Sequence, residues 1–140
     1  MSNKTIFATL ALGAAIAFAG PAFAEKMKAT LDGKSEVPAN TSAATGTADI
    51  DYDAASKKLS WKVTYSGLSG PATAAHFHGP AEAGKNAGVA VPIANIASSP
   101  AEGSATLTDA QAADLAAGKY YVNIHTAANP GGEIRGQVTK

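Results

Sequence analysis

Apolar and polar residues alternate with a period of two along most of this chain, the pattern of strands with one buried face. Met27, Ala29 and Leu31 alternate with Lys28 and Thr30. Residues 39–46 are small and polar and read as a loop. Ala48, Ile50 and Tyr52 then alternate with Thr47, Asp49, Asp51 and Asp53, and Leu59, Trp61, Val63 and Tyr65 alternate with Lys58, Ser60, Lys62 and Thr64. Ala54-Ala55-Ser56 joins the two runs, so they predict a hairpin whose polar face sets aspartates against lysines. After the turn Gly67-Leu68-Ser69-Gly70-Pro71, strands are expected over 72–78, around Val89, Val91 and Ile93, and over 103–107. Pro92 marks the second of these as an edge or irregular strand.

One helix interrupts the strands. Thr108 and Gln111 have capping-box spacing, residues 110–117 are good helix formers, and Gly118 suits a left-handed terminus. Last comes a hairpin. Tyr120, Val122 and Ile124 share one face and Tyr121, Asn123 and His125 the other. In the closing strand Ile134, Gly136 and Val138 oppose Glu133, Arg135 and Gln137, with Asn129-Pro130-Gly131-Gly132 as turn chemistry. Aligning the apolar faces sets Asn123 against Arg135 and His125 against Glu133. The sum is an all-β chain of about eight strands with one short helix, a Greek-key sandwich or barrel.

The same parity places the chemistry. His76 and His78 stand at i and i+2 with Phe77 facing away, and His125 lies on the polar face of its strand. The three imidazoles can therefore converge on one transition-metal ion, with copper favoured by affinity order and zinc next. Glu133 is a candidate fourth ligand, or the group that orients His125 from behind. Arg135 would then pair with Glu133 or Asn123. The bland reading is a polar network without an ion, in which His125 pairs with Glu133.

Composition narrows the alternatives. Lys4, the uncharged apolar run 6–20 and Ala22-Phe23-Ala24 read as a signal peptide over 1–24, which leaves a β-domain over 25–140 and an exported, periplasmic or extracellular product. Without Lys4 the formal charge falls from zero to −1, and no basic patch points to nucleic acid. There are no cysteines, so disulfides, thiolate metal sites and iron–sulfur clusters are excluded. Asp49, Asp51 and Asp53 have EF-hand spacing, but Ala54 replaces the required glycine and Ser60 the closing glutamate. No nucleophile elbow or phosphate loop is present.

Two blocks are characteristic in combination: Ala75-His76-Phe77-His78-Gly79-Pro80-Ala81 with Gly84-Lys85-Asn86-Ala87-Gly88-Val89, and Gly118-Lys119-Tyr120-Tyr121-Val122-Asn123-Ile124-His125-Thr126 with Asn129-Pro130-Gly131-Gly132-Glu133-Ile134-Arg135-Gly136-Gln137. With Leu59-Ser60-Trp61-Lys62-Val63-Thr64-Tyr65 ahead of them, they resemble the CHRD (chordin) domain, widespread in exported bacterial proteins. The resemblance implies an immunoglobulin-like β-barrel and no single activity. A weaker likeness is to the copper/zinc superoxide dismutase barrels, onto whose H-x-H copper ligands His76 and His78 map.

Three functions are consistent with these residues. The first is an exported metal-binding domain that stores, transports or buffers copper or zinc through His76, His78 and His125. The second is a metal-free interaction or structural module outside the cytoplasm, meeting a protein partner through loops 81–88 and 126–132. The third, ranked last, is a dismutase-like redox enzyme.

Overall fold

The computed structural model describes Ala14 and residues 24–140, so the expected leader lies almost wholly outside the described residues. Eight strands follow: β1 (Glu25–Asp32), β2 (Thr45–Asp53), β3 (Lys58–Ser66), β4 (Ala72–His78), β5 (Val89–Pro92), β6 (Ala101–Thr106), β7 (Tyr121–Thr126) and β8 (Ile134–Gln137), with α1 (Asp109–Ala116) between β6 and β7. They form one antiparallel sheet in the order β5-β4-β7-β8-β1-β2-β3-β6, curled into a nearly closed barrel. The all-β expectation holds, and the crossovers from β3 to β4 and from β6 to β7 supply the non-sequential neighbours of a Greek key.

The curl follows from the apolar faces. Trp61 on β3 and Phe77 on β4 have four strands between them in the sheet order. In a flat sheet they would be about 24 Å apart, at ~4.8 Å per strand. Their ring centroids are 5.2 Å apart, so the sheet wraps to bring its two ends onto one core. Leu31, Ile50, Leu59, Val63, Val122, Ile124 and Ile134 fill the same interior. Burying each side chain of this size stabilises the fold by about 1.5–3 kcal/mol.

Local devices set the register. Asp53 accepts from the Ala55 amide at 2.9 Å, and Lys57 takes φ 58°, which closes the β2–β3 turn. The hairpin aligns Asp49 with Lys62 and Asp53 with Lys58, as expected. The ion pair that Asp51 forms reaches instead across to Lys26 on β1. It is exposed and contributes a few tenths of a kcal/mol. On α1, Thr108 and Gln111 exchange both bonds of a capping box. The Gln111 amide also donates to the Ala90 carbonyl and docks the helix on β5, while Leu115 enters the core. β5 is an edge strand with a register shift, as Pro92 foretold.

One expectation fails instructively. The outward residues of β7 and β8 are not solvated: Tyr121, Asn123 and Arg135 are all buried. The stretches 33–44 and 79–88 lie over that face as a polar second layer. Asn40 donates to the Glu133 carbonyl at 2.9 Å, and Asn86 donates to the Val37 carbonyl at 3.1 Å, joining the two covering loops. β7 is thus sandwiched between an apolar core and a polar cover.

The seam between β8 and β1 leaves no room for a side chain at Gly136, whose added Cβ would fall on the Thr30 backbone. Gly136→Ala should lower stability by about 3 kcal/mol, as overpacking against backbone does. Gly131→Ala, with open space around it, should change stability by less than about 0.5 kcal/mol. Urea midpoints of the two variants check the contrast.

Candidate metal centre

β4 and β7 run antiparallel with His76 opposite Asn123, His78 opposite Tyr121 and His125 opposite Ala74. This register, with the parity of each strand, puts all three imidazoles on the outer face of the pair. Their candidate ligand nitrogens lie within 4.8 Å of one another. His76 Nδ1 and His125 Nε2 are 3.2 Å apart. Two metal–nitrogen bonds of ~2.0–2.1 Å that meet at about 100° span that distance. The pair therefore already has the spacing of two ligands on one ion.

Backbone carbonyls set the tautomers. His125 Nδ1 donates to the Pro130 carbonyl at 2.9 Å, and His78 Nδ1 donates to the Ala87 carbonyl at 3.0 Å. A carbonyl only accepts, so each Nδ1 carries the hydrogen, and in the neutral ring Nε2 carries the lone pair. His76 Nδ1–H then donates to His125 Nε2. An ion would replace this hydrogen bond once the His76 hydrogen moved to its Nε2. Burial, aided by the charges of His125 and His78, holds the His76 pKa below its ordinary 6.5. Burial also lowers His78, against the raising effect of its bonds to Ala87 and Asn123. Both shifts favour neutral imidazole, the form that ligates.

A stack fixes the third ring. His78 lies parallel to Tyr121, with centroids 4.9 Å apart and planes 6° apart. The Arg135 guanidinium sits 3.4 Å from the Tyr121 centroid. Arg135 also donates to Asn86 Oδ1 at 2.8 Å and to the Lys85 carbonyl, and the Tyr121 hydroxyl bonds the Ala87 backbone. The loop that offers the Ala87 carbonyl is therefore clamped through Arg135 and Tyr121.

Glu133 takes a different place from the one expected. β8 begins at Ile134, and Gly132 at φ 128° turns the chain just before it, so pairing with His125 stops one residue short. The Glu133 carboxylate accepts from the Ser69 amide at 3.0 Å and from the Ser42 hydroxyl at 3.0 Å. Burial raises its pKa, but these bonds outweigh it and hold the carboxyl below its ordinary value. Glu133 ties three loops together and stands outside the three-histidine group; the bond on His125 Nδ1 goes to the Pro130 carbonyl. Arg135 likewise spends its donors on loop 79–88 rather than on Glu133.

Sequence reasoning missed Glu36. This carboxyl is buried under the cover, Oε1 has no hydrogen-bond partner, and burial pushes its pKa up to about 7 against the pull of Arg135, Val37 and Asn123. It lies outside any alternating segment, so periodicity carries no sign of it. A carboxyl whose folded pKa is raised contributes stability that is full below 4.5 and is lost as pH rises through about 7. The lowered histidines act in the opposite sense, losing stability as pH falls below 6.5. Glu36→Gln should therefore be more stable, relative to the parent, at pH 7 than at pH 4.5. Urea midpoints at both pH values check this, and an equal difference at both would contradict it.

No helix among the described residues is long and apolar enough to cross a membrane. No curated protein and no solved structure matches the chain. The family model of the CHRD domain matches residues 27–138. That span takes in β2 to β8, all of β1 but its first two residues, and all three histidines, and the chain belongs to the CHRD domain family.

Proposed function

We propose that this protein is an exported CHRD module that binds one transition-metal ion, copper ahead of zinc, and stores, carries or buffers it. His76 Nδ1, His78 Nε2 and His125 Nε2 are the proposed ligands. The observation that carries the reading is the 3.2 Å approach of His76 and His125 on rigid neighbouring strands, with His78 beside them. Unlike a surface pair of histidines, His78 and His125 have tautomers set by backbone carbonyls, the kind of second-layer contact that ligating histidines use. Copper ranks first because a nitrogen site binds it more tightly than other first-row divalent ions. Export is supported by the apolar leader pattern and by the extracellular habit of CHRD domains.

A second reading is a contact surface for another extracytoplasmic protein. It draws on the exposed residues 82–86 and the largely exposed tip 127–131.

Calorimetric titration of chelator-treated protein with Cu(II) and Zn(II) separates the two. One equivalent should bind, and His76→Ala or His125→Ala should each weaken binding by about 100-fold or more. Affinity should also fall at acid pH, through a range that burial of His76 sets below the ordinary 6.5, because protons compete for the same lone pairs. Affinity unchanged by both substitutions would end the metal reading and leave the contact surface.

A further inference from the structure

Asn123 stands between His78 and Glu36. Its carboxamide oxygen is placed 2.9 Å from His78 Nε2. Its nitrogen lies on the Glu36 side, where a Cβ added to Gly132 would meet both Asn123 Nδ2 and Glu36 Oε1. All three polar side chains are buried: His78 is 8%, Asn123 3% and Glu36 5% exposed.

Donor and acceptor accounting decides how these groups are bonded. His78 Nδ1 is committed to the Ala87 carbonyl, so the neutral ring presents a lone pair at Nε2. A lone pair cannot bond a carboxamide oxygen. The two ends of a carboxamide are nearly isosteric, and the hydrogen-bond network decides between them. With the NH2 turned toward His78, Nε2 accepts from Asn123. The carboxamide oxygen then faces Glu36 in place of the NH2, which removes the pull of Asn123 on that carboxyl and favours its protonated form, as burial does. This orientation satisfies Nε2, the acceptor that the reverse orientation leaves facing an oxygen. The reverse orientation needs a hydrogen on both ring nitrogens, a buried cation with no carboxylate bonded to it.

We propose that Asn123 is a latch on the third imidazole: its carboxamide, backed by Glu36, occupies the His78 lone pair that a metal ion would take. The inference rests on the metal reading above. The site then has two arrangements. In one, an ion meets only His76 and His125, while Asn123 keeps His78. In the other, Asn123 releases Nε2 and the ion gains its third nitrogen. The exchange needs no proton transfer from His78, because its hydrogen stays on Nδ1 against Ala87. Each capture of His78 must break one buried hydrogen bond, so Asn123 is a positioning residue that lowers affinity and keeps the ion exchangeable.

The test is a double-mutant cycle on Zn(II) affinity. It uses the parent, Asn123→Ala, Asn123→Leu, His78→Ala and the two doubles. Leucine fills the asparagine volume and keeps the test usable if the alanine variant folds poorly. With His78 present, loss of the latch should tighten Zn(II) binding by about tenfold, the worth of one buried hydrogen bond. With His78→Ala, the Asn123 substitutions should change nothing. Binding that is unaltered or weakened by both Asn123 substitutions, or altered equally in the His78→Ala background, overturns the latch and leaves the metal site standing. Absence of Zn(II) binding in the parent and both Asn123 variants overturns the site as well.

Discussion

Two backbone carbonyls, those of Ala87 and Pro130, set the state of the histidine group. Each can only accept, so each holds the hydrogen of an imidazole on Nδ1 and leaves the lone pair on Nε2, which faces His76 from His125 and Asn123 from His78. Without them the three histidines would be a crowded group of rings with exchangeable tautomers. With them, at least two lone pairs have fixed positions. Both carbonyls belong to loops. Their positions are set by whatever holds the loops, which makes the site a property of the whole outer layer rather than of two strands.

That layer is held by polar groups under unusual cover. Arg135 lies against the Tyr121 ring while bonding Asn86 and the Lys85 carbonyl, and Asn86 continues to the Val37 carbonyl. Glu133 gathers the loops at 42 and 69. A network of this kind is costly to leave half-made, so its members stand or fall together. Beneath it, Val122, Ile124 and Ile134 belong to the barrel interior. β7 therefore transmits packing from the core to the histidines with little freedom between them.

The sequence makes the inner half of this design legible and the outer half only in part. Alternation identifies strands because one face meets an apolar core, and it correctly puts His76, His78 and His125 together opposite Phe77, Val122 and Ile124. Thr108 and Gln111 announce the helix because their bonds are local. Periodicity assumes, however, that the other face meets water. At Tyr121, Asn123 and Arg135 it meets a loop, and nothing in an alternating pattern distinguishes the two. Glu36 and the carbonyls of Ala87 and Pro130 act from irregular segments whose placement depends on long-range closure. Glu133 was misplaced for a related reason: strict pairing carries it opposite His125, but Gly132 bends the chain before pairing begins.

The proposed metal site suits an ion that arrives and leaves. Two nitrogens are ready at the spacing of shared ligands, and a third is close by with its own hydrogen-bond partner. Long-range proton–nitrogen correlation of the histidine rings, in chelator-treated and Zn(II)-loaded protein, tests the central claim most directly. The account predicts His78 and His125 as Nδ1–H tautomers in both states. Zn(II) should move the nitrogen signals of His125 Nε2 and His76 Nδ1. An Nε2–H tautomer at His125, or ring signals that stay put when Zn(II) is added, would contradict it.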